Sequence, residues 1–281
     1  MQNFIKISIK MNPFLFGCII IMLFWLITLI ILKKKKSDQN IHEMWWASFA
    51  CSFFGVTEPL FVPEYWDPPS ILKLCRWDLE SFIFCFGVGG LAAVLTELPK
   101  IKKIICWLDY LLWRVIRGIF LLLRRIFLGN YAINRVAVIS YSRVSLSKDQ
   151  LRIENMLLIT YFLAMFGATA HFNLNIIYDA SIVSVATAFF IWWRRPKLKW
   201  QIIGGGLSFT IIYTVVLIIV GQVYPNFYEH WNLDNLSGWW LFGAPLEEYL
   251  FAFTFGVLWA PLFEAWKDEK QQFSKISRRI D

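Results

Sequence analysis

Seven apolar runs of 17 to 22 residues divide this chain, at about 14–32, 45–61, 79–98, 156–172, 176–193, 202–223 and 246–263. A helix needs roughly 20 residues to cross the hydrocarbon core of a bilayer. Inside lipid, only helices and closed barrels satisfy every backbone polar group. The pattern therefore predicts an all-α polytopic membrane protein with seven transmembrane helices. Composition agrees, with 58% hydrophobic residues and a mean hydropathy of +0.53, whereas soluble domains sit near 45–50% apolar. No small-residue cleavage site follows the first run, only Lys33 to Lys36, so it reads as a retained helix rather than a signal peptide.

Charge orients the spans. Segment 101–128 is apolar but carries Lys102, Lys103, Arg114, Arg117, Arg124 and Arg125. That many cations at mid-bilayer would be prohibitive, so an amphipathic helix lying in the interface is expected there. With that helix on the surface, 24 of the 28 Lys and Arg residues fall on one side of the membrane. The positive-inside rule then places the N-terminus outside and the C-terminus in the cytoplasm, as expected for a bacterial inner membrane protein. The +8 net charge is explained by this partition, so lipid and not nucleic acid is the expected surroundings. Five cysteines (Cys18, Cys51, Cys75, Cys85, Cys106) form no CxxC pair, and neither a zinc site nor a disulfide framework is indicated.

One block occurs twice. Glu64-Tyr-Trp66 followed by Asp78-Leu-Glu80-Ser-Phe82-Ile-Phe84-Cys-Phe86 is matched by Glu229-His-Trp231 followed by Pro245-Leu-Glu247-Glu248-Tyr249-Leu-Phe251-Ala-Phe253. Glu80/Glu247, Phe84/Phe251, Gly89/Gly256 and Glu97/Glu264 share an offset of 167 residues, while Glu64/Glu229 and Trp66/Trp231 share 165. The predicted organisation is a 3+1+3 internal repeat: three helices over 14–98, a basic cytoplasmic insertion at 99–155, a connector helix at 156–175, three helices over 176–263, and a cytoplasmic tail at 264–281. Because the offset is four helices, an even number, the two triplets run parallel. Glu80 and Glu247 then lie at one depth, about a turn into the outer leaflet, where they can converge on one cleft.

An ionisable group inside a membrane is expensive and marks function by default. Burial favours the neutral form of a carboxyl group, which lets it serve as a proton donor. Glu247 and Glu248 point about 100° apart on a helix, so one of them faces the cleft. Phe84 and Phe251 share the glutamates' helix face, and Trp66, Trp231, Phe82 and Tyr249 stand near the same end. Aromatic faces stabilise a cation by about 0.5–2 kcal/mol each. An acid in a dry, aromatic-walled cleft suits protonation of an alkene and sheltering of the carbocation. Glu58, late in the second helix, can face the same cleft. For Glu64, Glu229, Asp67, Asp78 and Asp234 the plainer reading is a helix N-terminal charge or interfacial anchor, and Glu97 and Glu264 suit structural pairing. The Phe and Trp stripes are mainly packing or lipid-facing. Gly87-Val-Gly89-Gly90 follows no strand and is no dinucleotide fingerprint; Gly204-Gly-Gly206 suits close helix packing. His42, His171 and His230 suggest no metal site.

The segment Gly238-Trp-Trp-Leu-Phe-Gly-Ala-Pro245-Leu-Glu247-Glu248-Tyr-Leu-Phe251 resembles the signature of the lycopene cyclase domain family, whose hallmark is Pro-x-Glu-Glu/Asp followed by aromatics. The block from Glu64 to Phe86 looks like a first domain of the same kind, with Asp78 in place of the Pro and Ser81 in place of the second acid. The resemblance implies an integral-membrane enzyme, an isomerase or intramolecular lyase, that closes the linear ends of lycopene into rings without redox change. It implies Glu247 as the acid, Glu248 as its support, and Glu80 as second acid or proton acceptor. Trp66, Trp231, Phe82, Phe84, Tyr249, Phe251, Glu229, Glu64 and Glu58 become the substrate-binding set. No cofactor, flavin included, is implied; the partners are a hydrophobic isoprenoid and other membrane proteins of carotenoid synthesis.

Two other classes share features. Parallel triplets joined by a single helix also describe SWEET-type sugar transporters, or a lipid-binding module without catalysis. The apolar midplane of helices 3 and 7 argues against a polar transport path. Adjacent glutamates also open a motif of Glu-dependent intramembrane proteases, but the Arg expected four residues later is Ala252 here.

Overall fold

The computed structural model describes residues 12–98 apart from 72, 75 and 76, scattered positions between 101 and 114, and residues 175–277. The expected span at 156–172, nearly all of the insertion with its interfacial helix, and His171 lie outside the described residues.

Helix α1 runs over Pro13–Lys34. The Asn12 side chain accepts the amides of Phe14 and Leu15 at 2.8 and 3.1 Å. Pro13 sits where no N–H is needed, and Lys33 and Lys34 face the negative end of the dipole. Helix α2 (Asp38–Ser52) passes through a 3-10 turn, Phe53–Thr57, into the short α3 (Glu58–Phe61). The expected span at 45–61 is thus helical but not one α-helix, and it begins at Asp38. Pro59 has no N–H to close the ladder, so the helix rewinds just ahead of it. Helix α4 covers Leu79–Val94 and tightens to a 3-10 turn at Leu95–Glu97. In the second half, α5 covers Ile176–Arg194, α6 Lys199–Val223 and α7 Leu246–Ser277.

Four of these, Pro13–Lys34, Leu79–Glu97, Ile176–Trp193 and Lys199–Val223, are long and apolar enough to cross a membrane. Helix α7 starts where the last span was expected but does not stop at residue 263. Beyond Pro261 its sequence has no Gly or Pro and is rich in Glu, Lys and Gln, which keep a helix going after hydropathy has fallen.

The fold is mostly helical, not strictly all-α. Two small antiparallel hairpins precede α4 and α7: β1 (Lys73–Leu74) with β2 (Trp77–Asp78), and β3 (Trp240–Leu241) with β4 (Ala244–Pro245). Positive φ at Phe242 (46°) and Gly243 (86°) makes the second a two-residue turn whose twist matches its strands. Every strand residue of the first hairpin has its counterpart 167 residues later, and the pairing register is the same.

In each half, glycines let the last helix approach its neighbours. A side chain at Gly89 or Gly90 of α4 would collide with Cys51 and Ser48 of α2. Gly205 and Gly206 of α6 meet Gly256 and Val257 of α7 in the same way, as Gly204-Gly-Gly206 predicts. The halves share one core, with Cys18, Leu91, Phe209, Tyr213, Val220 and Ala252 buried together. They also join through their loops. Trp66 forms an antiparallel bridge with Trp231, flanked by Asp67 N–H to His230 O at 2.8 Å and Asn232 N–H to Tyr65 O at 2.9 Å. Those two bonds are reciprocal: each donor and acceptor is the other's counterpart at the offset of 165.

Candidate functional site

The hairpins deliver Glu80 and Glu247 into the first turns of α4 and α7, at the end of the bundle where the two loops meet. A helix N-terminus favours acids there. Both side chains are sealed: Glu80 and Glu247 are each 2% exposed, and Glu248 is 3% exposed. Every buried oxygen therefore needs a donor, a proton or a cost of about 1–3 kcal/mol.

Glu248 is saturated with donors. Its Oε1 accepts the Tyr65 hydroxyl and the Trp231 indole N–H (2.8 Å), and its Oε2 accepts the Tyr213 hydroxyl at 2.7 Å. Three donors converge on one carboxylate, an arrangement that suits the anion. Burial, reinforced by the neighbouring Glu248 charge, pushes the Tyr65 hydroxyl well above the ordinary phenol range, so it stays a donor.

Glu247 is one-sided. Its Oε1 accepts the Tyr178 hydroxyl at 2.5 Å and the Ser237 amide at 2.8 Å. Its Oε2 is buried with no hydrogen-bond partner. Glu80 has a donor on each oxygen, the Ile71 amide on Oε1 and the Ser70 hydroxyl on Oε2, both at 2.9 Å. Ser70 and Ser237 are themselves 167 apart, so the loop that serves the acid recurs along with the acid. Glu58 lies against the start of α4. It accepts the Asp78 amide at 2.7 Å and the Ser81 hydroxyl at 2.5 Å.

The aromatic residues divide into three groups. Phe84 and Phe251, one turn below the two glutamates, stack across the halves at 6.4 Å. The Tyr213 ring meets both, at 6.1 and 5.9 Å. Trp66 packs on Trp231 at 5.4 Å and edge-on to Phe14 at 4.8 Å. Phe82 lies against Gly55, where a methyl group would strike its ring. Tyr249 donates to Leu241 O at 2.6 Å and so fastens the second hairpin to α7. Glu64 and Glu229 have exposed side chains; the backbone oxygen of Glu64 instead accepts the Asn175 and Asn235 amides at 3.1 and 3.4 Å.

The donors were the residues that sequence reasoning missed: Tyr65, Tyr178, Tyr213, Ser70 and Ser237. A signal existed for some of them. Tyr213 interrupts an apolar run, where a phenol needs a buried acceptor, and Ser70 and Ser237 lie in the repeat register. Asp179 was missed too. It is 3% exposed in the first turn of α5, with an unpartnered Oδ1. Among the described residues, no group of three or more His, Cys, Asp or Glu is placed to hold a metal ion.

Chemically, the site sets a glutamate with donors on both oxygens beside one whose second oxygen lacks any partner, above a triad of aromatic rings. Such a site can hold a proton out of water and stabilise positive charge. No curated protein and no solved structure matches the chain. The lycopene cyclase family model matches residues 175–266. That region takes in Tyr178, Tyr213, Trp231, Ser237 and both adjacent glutamates, so it is over the site's second-half residues that this chain is similar to the lycopene cyclase family.

Proposed function

We propose that the chain closes the linear end groups of lycopene or a related carotenoid inside the membrane, by acid-initiated cyclisation without redox change. The observation that carries this reading is the opposed bonding of two adjacent glutamates: donors on every side of Glu248, and one bare buried oxygen on Glu247. Glu247 is the acid. Its O–H bond breaks toward the terminal alkene, whose π pair forms the new C–H bond, and the O–H electron pair stays on the carboxylate. The next double bond attacks the resulting cation and closes the ring. Loss of a ring proton then restores an alkene, so no electrons are exchanged with any partner.

Glu248, held anionic by Tyr65, Tyr213 and Trp231, supplies a fixed negative charge against the cation, the preorganised electrostatics that lower such barriers. Phe84, Phe251 and Tyr213 add cation–π stabilisation of about 0.5–2 kcal/mol each. Glu80, with a donor on each oxygen, takes the proton-acceptor role in the first half. Trp66 and Trp231 form the aromatic roof of the substrate site, with Phe82, Tyr249 and Glu58 behind its wall. Glu64 and Glu229 mark its rim. The reaction follows a flavin-independent route, that of an intramolecular lyase or isomerase. The equal hairpin offsets and the reciprocal Trp66–Trp231 bridge support the 3+1+3 parallel repeat. The Lys and Arg partition supports seven spans in a bacterial inner membrane, with the N-terminus outside.

Expression in a lycopene-accumulating host tests the activity. Monocyclic and bicyclic products are expected from the wild type and none from Glu247→Gln. Unchanged lycopene alongside well-inserted wild-type protein would overturn the cyclase reading. Undiminished cyclisation by Glu247→Gln would overturn the acid assignment.

A further inference from the structure

The two oxygens of Glu247 are not equivalent, and the residues that make them so come from outside α7. Tyr178 reaches Oε1 from α5 at 2.5 Å, and the Ser237 amide reaches the same oxygen from the loop at 2.8 Å. Oε2 receives nothing and is buried. A carboxylic acid has one oxygen that only accepts and one that carries hydrogen. Two donors on Oε1 fit the accepting oxygen and leave no room there for a proton.

We propose that Tyr178, with the Ser237 amide, decides which oxygen of Glu247 carries the proton: Oε1 is held as the carbonyl, and Oε2–H is the bond presented to the substrate alkene. Tyr178 is a positioning residue acting through Glu247, and the assignment rests on the cyclase reading above. The first half lacks this device. Asn12 and Asn175 cap α1 and α5 in the same way, and three residues past the cap stands Leu15 in the first half but Tyr178 in the second. Glu80 correspondingly has a donor on both oxygens. The proton-delivering geometry is therefore built in the second half alone. Because Oε2 is sealed from solvent, the alkene reaches it by displacing neighbouring side chains, and water does not compete for the proton meanwhile.

Infrared difference spectroscopy on the membrane-embedded full chain tests the assignment directly. The protonated-carboxyl C=O band lost in Glu247→Gln identifies the acid. In Tyr178→Phe that band is expected at higher frequency, because the carbonyl has lost one donor. The same variant is expected to lower kcat about tenfold with KM unchanged, the size of one lost hydrogen bond felt only at the reacting group. Tyr178→Leu, copying the first half, gives the same shift should the Phe variant not insert. A band that stays at the wild-type position in either variant, or no protonated-carboxyl band assignable to Glu247, overturns the proposal even if the wild type makes rings. Absence of rings alongside a shifted band overturns the cyclase reading and leaves the proton assignment standing.

Discussion

The two halves share a scaffold and differ in where they keep their carboxylates. Both have a hairpin in the same register, an acid in the first turn of the following helix, a loop serine that serves that acid, and a glycine contact that locks the helix to its neighbour. The residue after the acid differs. In the second half it is Glu248, which accepts Tyr213 from α6; in the first it is Ser81, which donates to Glu58 from α3. The residue after the acid is an acceptor in the second half and a donor in the first, and its partner comes from a different place on the neighbouring helix. Two places before the acid, Asp78 gives its amide to Glu58, whereas Pro245 has no amide to give. Matching backbone geometry therefore does not imply matching chemistry: among the described residues, the second half alone leaves an acid oxygen bare.

The sharpest way to break this contrast is to neutralise each acid isosterically. Gln at position 247 reproduces the protonated acid, with its amide oxygen taking the two donors and its NH2 replacing Oε2–H. Glu247→Gln should cost at least about 100-fold in cyclisation, the typical contribution of a general acid. It should change stability by no more than about 0.5 kcal/mol. Glu80→Gln has no bare oxygen to use and sets an NH2 against the Ile71 amide or the Ser70 hydroxyl, so it should lower the unfolding midpoint in micelles. If Glu247→Gln is the less stable of the two, the one-sided bonding of Glu247 is not what distinguishes the halves.

Removing the buried anions comes next. Glu248→Leu strands three donors, two hydroxyls and an indole N–H, at about 1–3 kcal/mol each before relaxation. Glu58→Leu strands the Asp78 amide and the Ser81 hydroxyl, and a small hydroxyl can turn to another acceptor. The first variant should therefore unfold at a clearly lower temperature. Equal midpoints would mean that the three-donor cluster contributes no more than its first-half counterpart. The tryptophan pair gives a smaller contrast. Trp66 and Trp231 share a ring contact, but only Trp231 also donates to Glu248. Trp231→Phe should exceed Trp66→Phe in cost by roughly 1.5–3 kcal/mol, one hydrogen bond to a charged group.

What was legible beforehand follows from what leaves a long trace in a sequence. The apolar runs and the offset of 167 extend over tens of residues, and they located α1, α4, α5, α6, the start of α7 and both acids. The hairpins left no trace, because a two-residue strand has no period to detect. Hydropathy located the end of the apolar stretch at 263 but not the end of the helix, since Glu, Lys and Gln extend a helix without extending a span. The break at Pro59 was visible as a residue, yet its outcome, a 3-10 turn that brings Glu58 to Ser81, depends on tertiary packing. The donors were hidden for a different reason. Tyr65, Tyr178 and Tyr213 lie 183, 69 and 35 residues from the acids they serve, and no local pattern joins them. A physical rule would have found some: two buried carboxylates need donors, and a tyrosine within an apolar span is the cheapest one to bring.

The loop serines supply the smallest and most discriminating contrast. Ser70 serves Glu80 with its hydroxyl, while Ser237 serves Glu247 with its backbone amide. The Ser237 hydroxyl accepts the Trp239 amide, at 3.3 Å, and also lies beside Glu247 and Tyr178. Alanine removes a hydroxyl and leaves an amide in place. Ser70→Ala should therefore strip one donor from a buried acid and cost about 1 kcal/mol, whereas Ser237→Ala should keep the amide bond to Glu247 and cost less than that. Parallel thermal scans of the two variants read this difference, and cyclisation by Ser237→Ala should stay near the wild-type rate. A large loss of activity in Ser237→Ala with no loss of stability would mean that the serine hydroxyl, rather than the amide, is what holds the acid's accepting oxygen.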